Sequence, residues 1–169
     1  MSAGAENAVI VACADLAATQ ALAARLAPHL RAGDVVLLEG ALAAGKTAFV
    51  AMLCHALGVV APVTSPSYVI AHHYAGAALD VVHVDAWRLD GADEFADLGL
   101  EEQAARAVTL IEWGARVAPA VTDPLRVQID FAEAGEQARR FRFTAEGARW
   151  QGVLDDLRRI QPAGAGQGA

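Results

Sequence analysis

Residues 37–50 read LLEGALAAGKTAFV, and the change of character along this stretch decides the fold. Leu37 and Leu38 close a continuous apolar run, DVVLLEG (34–40), of the length and composition of a strand buried on both faces. A loop framed by Gly40 and Gly45 follows. From Lys46 to Leu57 the apolar residues then recur at helical spacing, closed by Gly58. Strand, glycine loop and helix in that order predict an α/β architecture. Lys46 is also the only lysine among 169 residues, the other twelve basic side chains being arginines.

The loop Gly40-Ala41-Leu42-Ala43-Ala44-Gly45-Lys46-Thr47 fits the pattern G-x-x-x-x-G-K-[ST]. Its chemistry explains each fixed position. The glycines let the backbone turn tightly and bring its N–H groups against phosphate oxygens. The following helix N-terminus adds orphan donors and a dipole that favour an anion. A lysine there is a compact point charge with rotatable donors, whereas the planar guanidinium of an arginine does not fit inside the loop. Thr47 supplies a hydroxyl for Mg2+. Ala43 is the one discordant position, since alanine tolerates a positive φ less well than glycine.

Working outward, AVIVACA (8–14) reads as a short strand, and Asp15 or Thr19 opens a helix with Leu16, Leu22, Leu26 and Leu30 on one face, ended by Gly33. TSPSYVIAHHY (64–74) begins as a loop and becomes a strand. LDVVHVDAW (79–87) and VTLIEW (108–113) are further apolar strands, separated by a helical stretch, 93–107, broken near Gly99. LRVQIDF (125–131) and ARRFRFTA (138–145) alternate and predict an antiparallel pair on one edge, and 147–159 is an amphipathic helix. The expected fold is a P-loop NTPase-like three-layer α/β domain. Its sheet is mixed, mostly parallel, with an antiparallel edge. It forms a single domain over residues 1–160, with a small-residue, disordered tail over 161–169.

The net charge of −7 and pI near 5.1 argue against direct binding of a phosphate backbone; where a nucleic acid is involved, a partner holds it. Cys13 and Cys54 have neither metal-ligand spacing nor a disulfide pattern. The N-terminus lacks a basic region before its short apolar run, so neither a signal peptide nor a membrane span is expected, and the protein is expected in the cytoplasm.

A phosphate-binding loop needs a carboxylate at a neighbouring strand end to hold the metal or its water. Asp85 and Glu112 both follow apolar runs that point to the ligand side of such a sheet; residue spacing leaves open which one ligates the metal. Thr64, Ser65 and Ser67 flank Pro66 as a switch-like hydroxyl loop or as ordinary turn chemistry. Arg88 either approaches the γ-phosphate or pairs with Asp90 or Asp93. Trp87 and Trp113 follow the two carboxylates and either wall a nucleotide pocket or pack at its rim. Arg139, Arg140 and Arg142 cluster in the expected hairpin, and Arg139 is assigned to nucleotide binding. His72 and His73 are adjacent in a strand and point to opposite faces, so no zinc site is assigned to them or to His83. The absence of an Asn-Lys-x-Asp element favours ATP over GTP.

The ordered series LLEGALAAGKT, VTSPSY, HVDAWRL, DEFADLGLEE and LIEW, spanning residues 15–150, resembles the TsaE (YjeE) family. These are bacterial ATPases needed to make N6-threonylcarbamoyladenosine at position 37 of tRNAs that read ANN codons. The resemblance implies a P-loop α/β fold, binding of ATP and Mg2+, and ATP hydrolysis that is slow alone. It also implies action in a complex with TsaB and TsaD, which hold the tRNA. It further implies that Lys46 and Thr47 bind phosphate and Mg2+, and that Glu112 is a second metal or metal-water ligand. Asp85 is a catalytic carboxylate on the same reading, Trp113 serves the site or the complex, and Thr19 lies near the base. The chain departs from the family loop G-[DE]-L-G-A-G-K-T at Ala41 and Ala43, has Trp87 where tyrosine is usual, and has Gly114 where proline is common. A P-loop kinase for a small metabolite is the second reading, although no long lid insertion is visible. A nucleotide-binding regulatory module without useful hydrolysis is the third, kept open by Ala41 and Ala43.

Overall fold

The computed structural model describes residues 8–66 and 70–160. In chain order its strands and α-helices are β1 (Val9–Cys13), α1 (Leu16–Leu26), β2 (Val35–Glu39), α2 (Lys46–Ala56), β3 (Ala71–Tyr74), β4 (Asp80–Asp85), α3 (Ala92–Ala96), α4 (Glu101–Arg106), β5 (Ala107–Glu112), β6 (Leu125–Phe131), β7 (Arg139–Thr144) and α5 (Gln151–Arg158). The strands form one seven-stranded sheet in the order β1-β7-β6-β2-β5-β4-β3. Its centre, β6-β2-β5-β4, is parallel, and β1, β7 and β3 run antiparallel to their neighbours. The mixed α/β architecture expected from the sequence is therefore the one observed.

Two layers cover the sheet, and the period-two alternation of the strands sorts their side chains between them. Val36 and Leu38 of β2, with Val108 and Leu110 of β5, join Leu22, Leu26, Phe49, Leu53, Leu154 and Leu157 in the core beneath α1, α2 and α5. Leu37, Val82, Val84 and Ile111 face the other way, into a smaller core closed by Phe95, Leu98 and Leu100 from the α3–α4 region. Burial on both faces explains why β2 and β5 read as unbroken apolar runs.

Four expectations need correction, and one alternative is settled. The β6–β7 hairpin is antiparallel but does not form an edge: β1 pairs along β7, with Val9 opposite Phe143 and Cys13 opposite Arg139, and β6 lies against β2. The alternation of β1, with Val9, Val11 and Cys13 buried, supplies an apolar face that caps the hairpin. Gly33 is not the helix cap. α1 ends at Ala27 because Pro28 cannot donate the next helical hydrogen bond, and a 3-10 turn, Ala27–His29, follows; Gly33 (φ +90°) instead serves the turn into β2. β4 ends at Asp85, so Trp87 belongs to a 3-10 turn, Ala86–Arg88, held by Asp85 as its cap. The last helix likewise begins as a 3-10 turn, Ala148–Trp150. Asp15, not Thr19, is the N-cap of α1, accepting from the Ala18 amide at 2.8 Å. Ser67 and the expected tail at 161–169 lie outside the described residues. Among the described residues no helix is long and apolar enough to cross a membrane.

Candidate functional site

The parallel register sets Asp85 of β4 directly beside Glu112 of β5. The alternation that sends Val108 and Leu110 under α2 continues to Glu112, and that of Val81 continues through His83 to Asp85. Both carboxylates therefore end their strands on the side of the sheet where α2 begins, at the carboxyl ends where ligands of open α/β sheets bind. The loop from β2 delivers Lys46 and Thr47 to the same place.

Three backbone features shape that loop. Gly40 has φ +154°, and a Cβ there would meet the Ile129 carbonyl oxygen at 2.5 Å, so only glycine lets the loop leave β2 against β6. Gly45 (φ +108°) caps α2 in a left-handed conformation. Ala43 also adopts a left-handed conformation (φ +65°), so the position where alanine was discordant is one where the loop does demand positive φ. The Ala44 carbonyl at the base of the loop accepts a 2.8 Å hydrogen bond from Arg139 Nε, while Arg139 Nη1 bonds the Glu136 and Ala138 carbonyls. Arg139 thus clamps the loop from β7.

Lys46 is nearly fully buried. Its ammonium donates to the carbonyls of Gly40 (2.6 Å) and Ala41 (3.0 Å), and it lies 3.9 Å from the centre of the Trp113 ring. Burial lowers its pKa below the ordinary lysine value, opposed by the attraction of Glu112, Glu39 and Asp85. Thr47 Oγ1 donates to Glu112 Oε1 at 2.7 Å, and His83 Nε2 lies 2.8 Å from the same oxygen. Ser65 Oγ donates to Asp85 Oδ2 at 3.3 Å, and the Trp87 amide donates to Asp85 Oδ1 at 2.9 Å. Trp113, in a left-handed conformation (φ +57°), turns the chain out of β5 and packs on Trp87 with ring centres 4.5 Å apart. The Arg116 guanidinium lies over the Trp87 ring, 5.1 Å from its centre.

Leu42, Ala43, Gly45, Lys46, Thr47, Ser65, Asp85, Glu112 and Trp113 line one cleft of about 240 Å3. Of the residues singled out in the sequence, Gly40, Ala41 and Ala44 support the cleft through the loop's backbone. Arg139 acts on that backbone and does not line the cleft. Thr19 is not brought to it: it is buried on α1 with its hydroxyl on the Asp15 carbonyl at 3.1 Å. Arg88 is exposed, and no described carboxylate pairs with it. Trp87 is half exposed, its ring tilted against that of Trp113.

Two residues near the cleft were not read as members of the site. Glu39 ends β2 and accepts from the Ala115 amide; the signal was a third carboxylate at a strand end, immediately before the glycine loop. His83 was considered only as a metal ligand. Its position two residues before Asp85, hence on the same strand face, was the available clue. Among the described residues no group of three or more His, Cys, Asp or Glu side chains is arranged to hold a metal. Any cation here would depend on Thr47, one or two carboxylates and the oxygens of a ligand, a donor set that suits Mg2+ bound with phosphates.

A family model described as threonylcarbamoyl adenosine biosynthesis protein TsaE matches residues 13–141. Among curated relatives, the tRNA threonylcarbamoyladenosine biosynthesis protein TsaE of Streptomyces coelicolor is 44% identical over 135 residues, covering 76% of this chain and 91% of that protein. Its namesake from Bacillus subtilis is 36% identical over 142 residues, covering 83% and 88%. A crystal structure of Bacillus subtilis YdiB superposes with a TM-score of 0.75 at 29% identity, covering 90% of this chain and 95% of that one. With the glycine loop, the paired strand-end carboxylates and the family match running through all of them, the chain belongs to the TsaE family.

Proposed function

We propose that this chain is a cytoplasmic ATPase that binds ATP with Mg2+ and serves the formation of tRNA threonylcarbamoyladenosine (t6A37) in a complex with TsaD and TsaB. The observation that carries the reading is the convergence on one cleft of the Lys46 ammonium, the Thr47–Glu112 pair and Asp85. The relatives' names supply the pathway. The net charge of −7 fits a subunit that leaves tRNA to its partners.

The residues fit the ligands they would hold. Lys46 is already inside the loop, bonded to two loop carbonyls, and a phosphate entering the loop replaces neutral acceptors with charged ones, a stronger pairing for the same donors. The amides that open α2 face the same phosphate. The charge that develops on the transferred phosphoryl group would be offset by Mg2+ held there. Thr47 and Glu112, already paired, form the metal-side set. Asp85, steadied by Ser65 and the Trp87 amide, is left to accept a hydrogen bond from the attacking water and orient it. Water adds to the γ-phosphorus, the bond to the β-γ bridging oxygen breaks, and ADP and phosphate result.

The test is ATP hydrolysis by the purified protein with Mg2+, with and without the TsaB–TsaD pair of the same organism. Turnover should be slow alone and rise strongly with the pair. Lys46→Ala should lose nucleotide binding and turnover together, and Asp85→Ala should keep ATP binding and lose the stimulated turnover. Normal stimulated turnover in Asp85→Ala would remove Asp85 from its role. A regulatory reading without hydrolysis rests on one observation, the left-handed Ala43 in the phosphate loop; ATP binding with no turnover under any partner condition would select it. Consumption of ATP only with a small acceptor would select a kinase.

A further inference from the structure

Glu112 receives both of its side-chain contacts on one oxygen. Thr47 Oγ1 and His83 Nε2 lie 2.7 and 2.8 Å from Oε1. A carboxylate can only accept, so Nε2 carries the hydrogen. The other ring nitrogen, Nδ1, is buried without a hydrogen-bond partner among the described residues. A hydrogen on Nδ1 would be a buried donor with nothing among the described residues to accept it. The geometry therefore places a hydrogen on Nε2, directed at Glu112.

His83 is completely buried on β4 and does not line the cleft. Its ring reaches from β4 to the end of β5, where Glu112 sits beside Asp85. The bond from His83 is therefore anchored in the central parallel strands and does not depend on what occupies the phosphate loop. The Thr47 hydroxyl sits on the first turn of α2 and is itself committed to the cation in the reading above. Without His83, Oε1 would be held only by that hydroxyl.

We propose that His83 is a positioning residue for the hydrolysis assigned above. Its Nε2–H pins Glu112 Oε1 beside Thr47 Oγ1 and leaves Oε2 as the carboxylate oxygen for the cation or its water. This deepens the ATPase reading and rests on it. It also accounts for a histidine in the core, where a valine or leucine would pack as well and leave no unpaired nitrogen.

Two kinds of measurement test it. The first needs no turnover: a long-range 1H–15N spectrum of 15N-histidine-labelled protein without nucleotide. It should show one histidine as the Nε2–H tautomer with a slowly exchanging proton, lost in His83→Leu and displaced in Glu112→Gln. An Nδ1–H tautomer for His83 overturns the proposal. The second is kinetic, with the TsaB–TsaD pair present. Loss of a hydrogen bond to a metal-side ligand typically costs about 10–100-fold in metal affinity or activity, and that is the expected fall in kcat/KM for His83→Leu. His83→Gln, whose amide N–H can occupy the position of Nε2, should recover most of it. Full activity in a folded His83→Leu, or equal loss in both variants, overturns the proposal. Should the leucine variant fail to fold, the tautomer and the glutamine variant decide between them. Should the wild type hydrolyse no ATP, the functional reading fails by itself. Calorimetry then still judges His83: Mg2+ should strengthen ATP binding about 10–100-fold less in the leucine variant than in wild type, and an unchanged Mg2+ effect refutes the role.

Discussion

The two ends of the structure handle polar groups in opposite ways. Where α1, α5 and the start of β2 meet, charges are consumed internally. Arg149 bonds both oxygens of Asp34 (2.9 and 2.5 Å) and the His29 carbonyl; Asp156 takes two bonds from Arg25 and lies 3.0 Å from His29; the buried Trp150 donates to the Asp123 carbonyl. At the cleft, a buried ammonium sits on neutral carbonyls, Glu112 keeps one oxygen for a ligand, and Ala43 and Trp113 hold left-handed backbone, as Asp123 does at the closed end. Such conformations cost on the order of 1–3 kcal/mol each and persist only where the surroundings over-determine them. One end pairs its charges with one another, and the other holds donors and acceptors ready for a ligand.

Adding the same methyl group to each end should expose the difference. Gly40→Ala places a Cβ 2.5 Å from the Ile129 backbone oxygen at a φ of +154°, with no flexible atom to yield. The expected loss is about 2–3 kcal/mol in urea unfolding, with ATP binding lost as the loop is displaced from β6. At the opposite end, the three atoms nearest a Cβ at Gly147 all belong to the Asp123 carboxylate, the free end of a side chain that can rotate away. Its cost should be under about 1 kcal/mol, with ATP binding intact. Equal effects would mean that the loop is not braced against β6.

The legible part of the molecule was the part built from local pattern. The glycine loop between an apolar run and a helix announced β2, α2 and the site, because phosphate binding needs that order of elements. Asp85 and Glu112 could be found as polar ends of apolar strands. Pairing was less legible. β1 alternates like any edge strand, and nothing in VIVAC says that it will lie along β7 and displace the hairpin from the edge. Thr19 was assigned from a resemblance, and the helix it sits on turns its hydroxyl to the Asp15 carbonyl. His83 needed three-dimensional information, because its partner lies on another strand 29 residues away.

The closed end predicts an acid sensitivity that the cleft does not need. Hydrogen bonds from Arg25 and His29 hold the Asp156 carboxyl well below the usual carboxylate range. A depressed folded pKa gives stability that is complete above the unfolded value, about 3.9, and is lost as pH falls below it. Asp156→Asn should therefore lower Tm by a few degrees near neutral pH, and the gap should close as the pH falls below about 4. The effect is small because Arg25 is exposed, and added salt should shrink it further. A gap that persists unchanged at low pH would show that Asp156 acts through packing alone.

The smallest effect has the most informative sign. Ala43 holds φ +65° in a loop whose neighbour Gly45 also has positive φ. Left-handed backbone costs a residue with a Cβ about 1–2 kcal/mol. Glycine removes that cost but gives back about 0.5–1 kcal/mol through the freedom it adds to the unfolded chain. Ala43→Gly should therefore stabilise the protein by about 0.5 kcal/mol, or 1–2 °C in Tm for a chain of this size. Strain that the folded core holds in place is released by glycine, so the gain belongs to the free protein. The same freedom lets the loop frequent conformations that do not match a phosphate, so ATP affinity should stay level or fall slightly as Tm rises. A stabilised variant with unchanged or weaker ATP binding is what a loop held ready by its scaffold predicts. A destabilised variant would mean that the alanine conformation carries no strain, and the contrast between the two ends would then rest on Trp113 and the buried Lys46.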